Sequence, residues 1–105
     1  MKIAIASSNG ENVDLHLGKA DSIYIYEYLD GLELIEHRNI DIDKNAKHQG
    51  GKVLEVCQDC DVIIVEDFGF KTKVTANEMN IILFKGHGKI NEVFNEFVNW
   101  YEVMN

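Results

Sequence analysis

Four histidines and one Cys-x-x-Cys pair are the residues of this 105-residue chain best suited to metal or redox chemistry. His16 lies on a long first loop between Gly10 and Gly18. A neutral imidazole ligates iron well; the plainer reading is a surface histidine that hydrogen-bonds within its loop. His48 stands at the start of an expected helix, after Asp43-Lys44-Asn45, where an anion would meet free backbone N–H groups. His87 lies between Gly86 and Gly88, and glycine lets a backbone approach a ligand closely. The plainer readings of these two are a first-turn position and a turn before the last helix. His37 falls inside an expected strand.

Cys57-Gln58-Asp59-Cys60 has the spacing of redox and metal pairs. Cys57, however, continues the apolar face of its helix, and a tetrahedral zinc site needs four ligands. Two thiols per chain fall short of that, so both are read as buried structural cysteines. Gly50-Gly51-Lys52 and Gly86-His87-Gly88-Lys89 lack the spacing of a phosphate loop and the Ser or Thr after its lysine. Asp41 and Asp43 read as solvated loop carboxylates. There is no G-x-S-x-G or H-E-x-x-H motif, and the chain is expected not to be an enzyme.

The elements that must position these residues follow from periodicity. Residues 2–6 read as a buried strand, 22–28 as a strand rich in β-branched and aromatic types, and 32–40 as its return after the Asp30-Gly31 turn. Val53, Leu54, Val56 and Cys57 have helical spacing over 48–58. Residues 61–65 form a short apolar run typical of a buried parallel strand. A short helix is expected over 71–78 and a last strand over 81–84. Ile90, Val93, Phe94, Phe97, Val98 and Tyr101 mark an amphipathic helix over 89–103.

This order predicts an α/β fold: a five-stranded mixed sheet, its second strand antiparallel, flanked by three helices, in one domain over 1–105. Strands one, three, four and five then point the same way. The segments 7–21, 41–48, 66–70 and 85–89 follow them and gather at one sheet edge, where open α/β folds place ligands. Three of the four histidines lie in those segments.

Composition excludes several classes. Eighteen acidic against ten basic residues give a net charge of −8, and the basic residues form no stripe. Nucleic-acid binding, driven by Lys and Arg on phosphates, is not expected. No run approaches the roughly 20 apolar residues that span a bilayer. The opening apolar run is too short for a signal peptide, and two cysteines make no disulfide framework, so a cytoplasmic location is expected.

The residues taken together resemble the dinitrogenase iron-molybdenum cofactor biosynthesis family. The resemblance rests on the opening strand, Ser7-Ser8-Asn9-Gly10, Leu15-His16-Leu17-Gly18 and the aromatic strand ending near Asp30-Gly31. It continues through His48-x-Gly50 opening a helix, Cys60-Asp61-Val62-Ile63-Ile64, Gly69 and Gly86-His87-Gly88. It covers nearly the whole chain through order and spacing. It implies a ribonuclease H-like fold and a non-enzymatic carrier or assembly role for an iron-sulfur or iron-molybdenum cluster. The family's His-Phe-Gly histidine maps onto His16, with Leu17 in place of the aromatic. His16 is therefore the expected metal ligand. Ser7, Ser8, Asn9, Gly18, His48, Gly69, Gly86, His87 and Gly88 are the further expected cofactor contacts. A cluster-assembly or cluster-acceptor protein is the implied partner. Glu66-Asp67 replace the small glycines usual after the fourth strand, and two carboxylates there would repel an anionic cluster. Two other readings stand beside this one: a module for a phosphate-bearing metabolite or flavin, and a metal-free protein-interaction domain.

Overall fold

Alternating and continuous apolar runs in this sequence sort into a central sheet with helices on both faces, as a computed structural model describing residues 1–104 shows. The strand β1 (Lys2–Ala6) lies at the centre. After it come a two-residue strand β2 (Asn12–Val13) and a 3-10 turn over Leu17–Lys19. Strands β3 (Ser22–Tyr28) and β4 (Leu32–Asn39) form a hairpin, followed by helix α1 (Gly50–Val56) and strand β5 (Val62–Val65). Helix α2 (Phe70–Glu78), strand β6 (Ile82–Lys85), a second short strand β7 (Gly88–Lys89) and helix α3 (Ile90–Met104) complete the chain.

The five longer strands form one sheet in the order β4-β3-β1-β5-β6. β3 is antiparallel to both β1 and β4, while β5 runs parallel to β1 and to β6. The predicted mixed sheet and its antiparallel second strand are present. β1 and β5 are buried on both faces, which is why they read as unbroken apolar runs. Ala4, Ala6, Ile63 and Val65 face Val53 and Leu54 of α1 and Ala76 of α2. Ile3, Ile5, Val62 and Ile64 face the other way, onto Val93, Phe94 and Phe97 of α3.

Three features depart from the sequence reading. α1 starts at Gly50 and ends at Val56 rather than spanning 48–58. His48 takes a left-handed backbone with φ of 60°, which no α-helix admits, and Gln49 becomes the cap. β2 and β7 pair antiparallel in a separate two-stranded sheet, too short to register as periodicity. In β4 the register shifts so that Ile25 pairs Glu36 and Tyr26 pairs Leu34, leaving Ile35 as an extra residue, a β-bulge.

Candidate functional site

Three of the strands that point the same way, β1, β5 and β6, end at one edge, and the backbone ties their loops together. Leu17 N–H donates to the Asp67 carbonyl at 2.9 Å and Glu66 N–H to the Leu15 carbonyl at 2.9 Å, fixing the first loop against the one after β5. The β2–β7 pair then joins the first loop to the segment after β6, with Val13 opposite Gly88. Ile90 N–H adds a bond to the Glu11 carbonyl at 2.9 Å.

This lacing puts His16 and His87 on one carboxylate. His16 Nε2 lies 3.3 Å from Glu66 Oε1, and His87 Nδ1 lies 2.8 Å from Glu66 Oε2. An ionised carboxylate only accepts, so the nitrogen facing it on each ring carries the proton. With neutral rings, His16 Nδ1 and His87 Nε2 keep their lone pairs. Both side chains are more than half exposed, at 57% and 73%. A carboxylate that fixes the tautomer of a histidine is the usual second partner of a metal-ligating imidazole.

Beside this pair a groove of about 460 Å³ opens between the first loop, the segment before α1 and the loop after β5. Leu17, Gly18 and Phe68 supply its apolar lining, and His16, Lys19, Lys47, His48 and Asp67 its charged and polar lining. Asp67 is held by Lys85 Nζ at 2.8 Å, which keeps its carboxyl below the usual range, and the same ammonium lies 5.1 Å from the Phe68 ring centre. Asp67 therefore does not stand as a bare repelling charge, while Glu66 keeps its negative charge and places both oxygens on histidines.

His16, His48, Gly18 and Gly69 share the groove, and His87 lies next to His16 through Glu66. Gly69 caps α2, and a Cβ there would meet open space. Gly86 has a packing duty: a Cβ would lie 2.2 Å from Val93 Cγ1, so α3 could not approach the sheet. Gly88 adopts φ of 115°, which other residues avoid. Ser7, Ser8 and Asn9 turn inward on their own loop. The buried Ser7 hydroxyl accepts Gly10 N–H at 2.9 Å, and Asn9 Oδ1 accepts Glu11 and Asn12 N–H at 2.9 and 3.0 Å. Ser8 bonds through its amide and hydroxyl to Asp14. Glu66 is the residue that sequence reasoning took for an obstacle; its position directly after a buried strand, at the edge where the histidines gather, was the available signal.

Among the described residues no group of three or more His, Cys, Asp or Glu side chains is arranged to hold a metal ion, and no helix is long and apolar enough to cross a membrane.

Fold and site define a mixed α/β protein that presents histidine-bearing loops at one edge of its sheet. The chain belongs to the dinitrogenase iron-molybdenum cofactor family, whose model matches residues 1–99. Its fold is similar to that of PH0822, at 17% identity and a TM-score of 0.74 over 94% of this chain and 91% of that one. It is also similar to a provisionally assigned NifB protein from Thermotoga, of the DUF35 family, at 19% identity and a TM-score of 0.63 over 93% and 87%. A provisionally assigned dinitrogenase from Methanocaldococcus jannaschii matches at 18% identity and a TM-score of 0.53 over 83% and 78%. At such identities these likenesses bear on the fold alone. No curated protein matches the chain.

Proposed function

We propose that the protein is a non-enzymatic carrier of an iron-sulfur or iron-molybdenum cluster, with His16 as the leading iron ligand. The observation that carries this reading is Glu66 bridging His16 and His87, which leaves the second nitrogen of each exposed ring outside that contact. Imidazole is a suitable iron donor, and a preassembled cluster brings its own bridging sulfides, so one or two protein ligands suffice. Lys19 and Lys47 at the groove provide positive charge toward an anionic cargo in a chain of net charge −8. An open groove with few ligands suits a cargo that must be released to a cluster-assembly or cluster-acceptor partner, with cytoplasm as the matching compartment. Family membership supports the link to the iron-molybdenum cofactor. The strand order β4-β3-β1-β5-β6 with an antiparallel β3 supports the ribonuclease H-like name for the fold. The reading as a phosphate or flavin module loses ground because the amides of Ser8, Gly10, Glu11 and Asn12 already bond within the first loop.

The test is to offer an iron-sulfur cluster or the iron-molybdenum cofactor anaerobically to wild type and to His16→Ala, following visible absorption and co-elution of iron. Wild type is expected to retain iron and colour, and His16→Ala to lose most of both. Equal binding by the two would remove His16 as ligand. If neither binds, while wild type carries a flavin or nucleotide from the cell, the carrier reading fails.

A further inference from the structure

The histidine edge makes no use of Cys57 and Cys60, which close the opposite end of the α1–β5 unit. Cys57 caps α1, and its N–H bonds back to the Val53 carbonyl at 3.0 Å. Cys60 N–H then donates to the Cys57 carbonyl at 3.0 Å. A bond from residue i to i+3 of this kind closes a β-turn, whose end Cα atoms lie within about 7 Å. A disulfide needs a Cα separation of about 4.4–6.8 Å, so the turn brings the two residues into that range without moving a strand.

The surroundings distinguish the two sulfurs. Arg38 reaches over the turn: its Nη1 donates to the Val56 carbonyl at 3.0 Å and to Asp59 Oδ1 at 2.7 Å, and its Nη2 to Asp59 Oδ2 at 2.8 Å. The Cys60 thiol points to Asp59 Oδ1 at 3.7 Å. The neighbouring Cys60 side chain, and then the Arg38 charge, hold the Cys57 thiol below its usual range against the opposing effect of burial. The same contact with Cys57, together with burial, pushes Cys60 up. Of the two, Cys57 is therefore the sulfur that loses its proton more readily. Both are buried and free, while Gln58 and Asp59 between them are exposed.

We propose that Cys57 and Cys60 form a reversible disulfide site whose oxidant is a small peroxide. The peroxide has to reach the sulfurs past the exposed Gln58 and Asp59. The Cys57 thiolate attacks one oxygen of hydrogen peroxide, the O–O bond breaks, and the departing hydroxide takes a proton from solvent and leaves as water. Cys57 is then a sulfenic acid. The Cys60 sulfur attacks the Cys57 sulfur, the S–OH bond breaks, and the hydroxyl leaves as a second water with the Cys60 proton. Two electrons pass from the two sulfurs to the peroxide, and a dithiol reductant reverses the change. The site is independent of any cargo at the histidine edge.

The test uses the reduced full-length chain and a stoichiometric amount of hydrogen peroxide. The titre of free thiols, two before treatment, is expected to fall to none while the chain stays a single species in non-reducing electrophoresis. The tryptic peptide from Val53 to Lys71 should lose two hydrogens and regain them with dithiothreitol. In Cys60→Ala, dimedone should label Cys57 as its sulfenic acid, and in Cys57→Ala Cys60 should stay unlabelled. An unchanged thiol titre in folded wild type would overturn the proposal. So would a disulfide formed only between chains, or passage of either thiol straight to sulfinic acid. Equal labelling of the two single variants would overturn the role of Cys57 as the attacking sulfur. The wild-type measurements decide the disulfide without either variant.

Discussion

Glu66 fixes the tautomer of two histidines at once, and this makes it a positioning residue with a measurable signature. Glu66→Gln keeps the shape but replaces one accepting oxygen by a donor, so one of His16 and His87 loses its anchor. Affinity for an offered iron cluster, followed by anaerobic titration, should fall about 10–100-fold, the usual effect of losing such an outer partner. Asp59 offers a second test at this scale, through pH. Paired bonds from Arg38 hold its carboxyl well below the usual range. A carboxylate with a lowered folded-state pKa stabilises fully above the unfolded value of about 3.9 and loses that contribution as pH falls toward its own lower value. The pair is partly exposed and screened, so Asp59→Asn should cost only about 1 kcal/mol at neutral pH. Urea unfolding should show the gap between variant and wild type closing below about pH 4.

At the scale of elements, glycines separate packing from mere freedom. Gly86→Ala would drive a Cβ into Val93 and lift α3 from the sheet, at a cost of about 1–3 kcal/mol. Gly51→Ala, in α1 with nothing within 4 Å, should stabilise by roughly 0.5 kcal/mol through a less flexible unfolded chain. Opposite shifts in the melting temperatures of the two variants are expected. Phe97 is 1% exposed and meets the rings of Phe84, Trp100 and Tyr101, so Phe97→Ala should cost about 3–5 kcal/mol in chemical denaturation. α3 was legible because its stripe repeats over four turns, and β1 and β5 because burial on both faces leaves an unbroken apolar run. The boundaries of α1 were not, since a left-handed histidine leaves no trace in periodicity. Nor were β2 and β7, since two-residue strands have no period to read. The histidine edge was legible from topology alone. The pairing across it was not, because Glu66 gains its meaning only from loops distant in sequence.

For the molecule as a whole, the five-stranded sheet ends on β4, which has β3 on one side and, among the described residues, no strand on the other. Leu34 and Ile35 are exposed on it, at 52% and 46%. A long, flat apolar edge of that kind is a template for the edge of a second molecule. The extra residue at Ile35 breaks the regular spacing of amides and carbonyls along this strand, and Glu33 places negative charge near it, while Glu36 is paired with Arg38. Two copies meeting edge to edge would face mismatched hydrogen bonds. Deleting Ile35 would restore an even strand, and light scattering during concentration of that variant should show self-association where wild type stays dispersed. The bulge thus leaves β4 a poor template for a strand from a second copy of the chain.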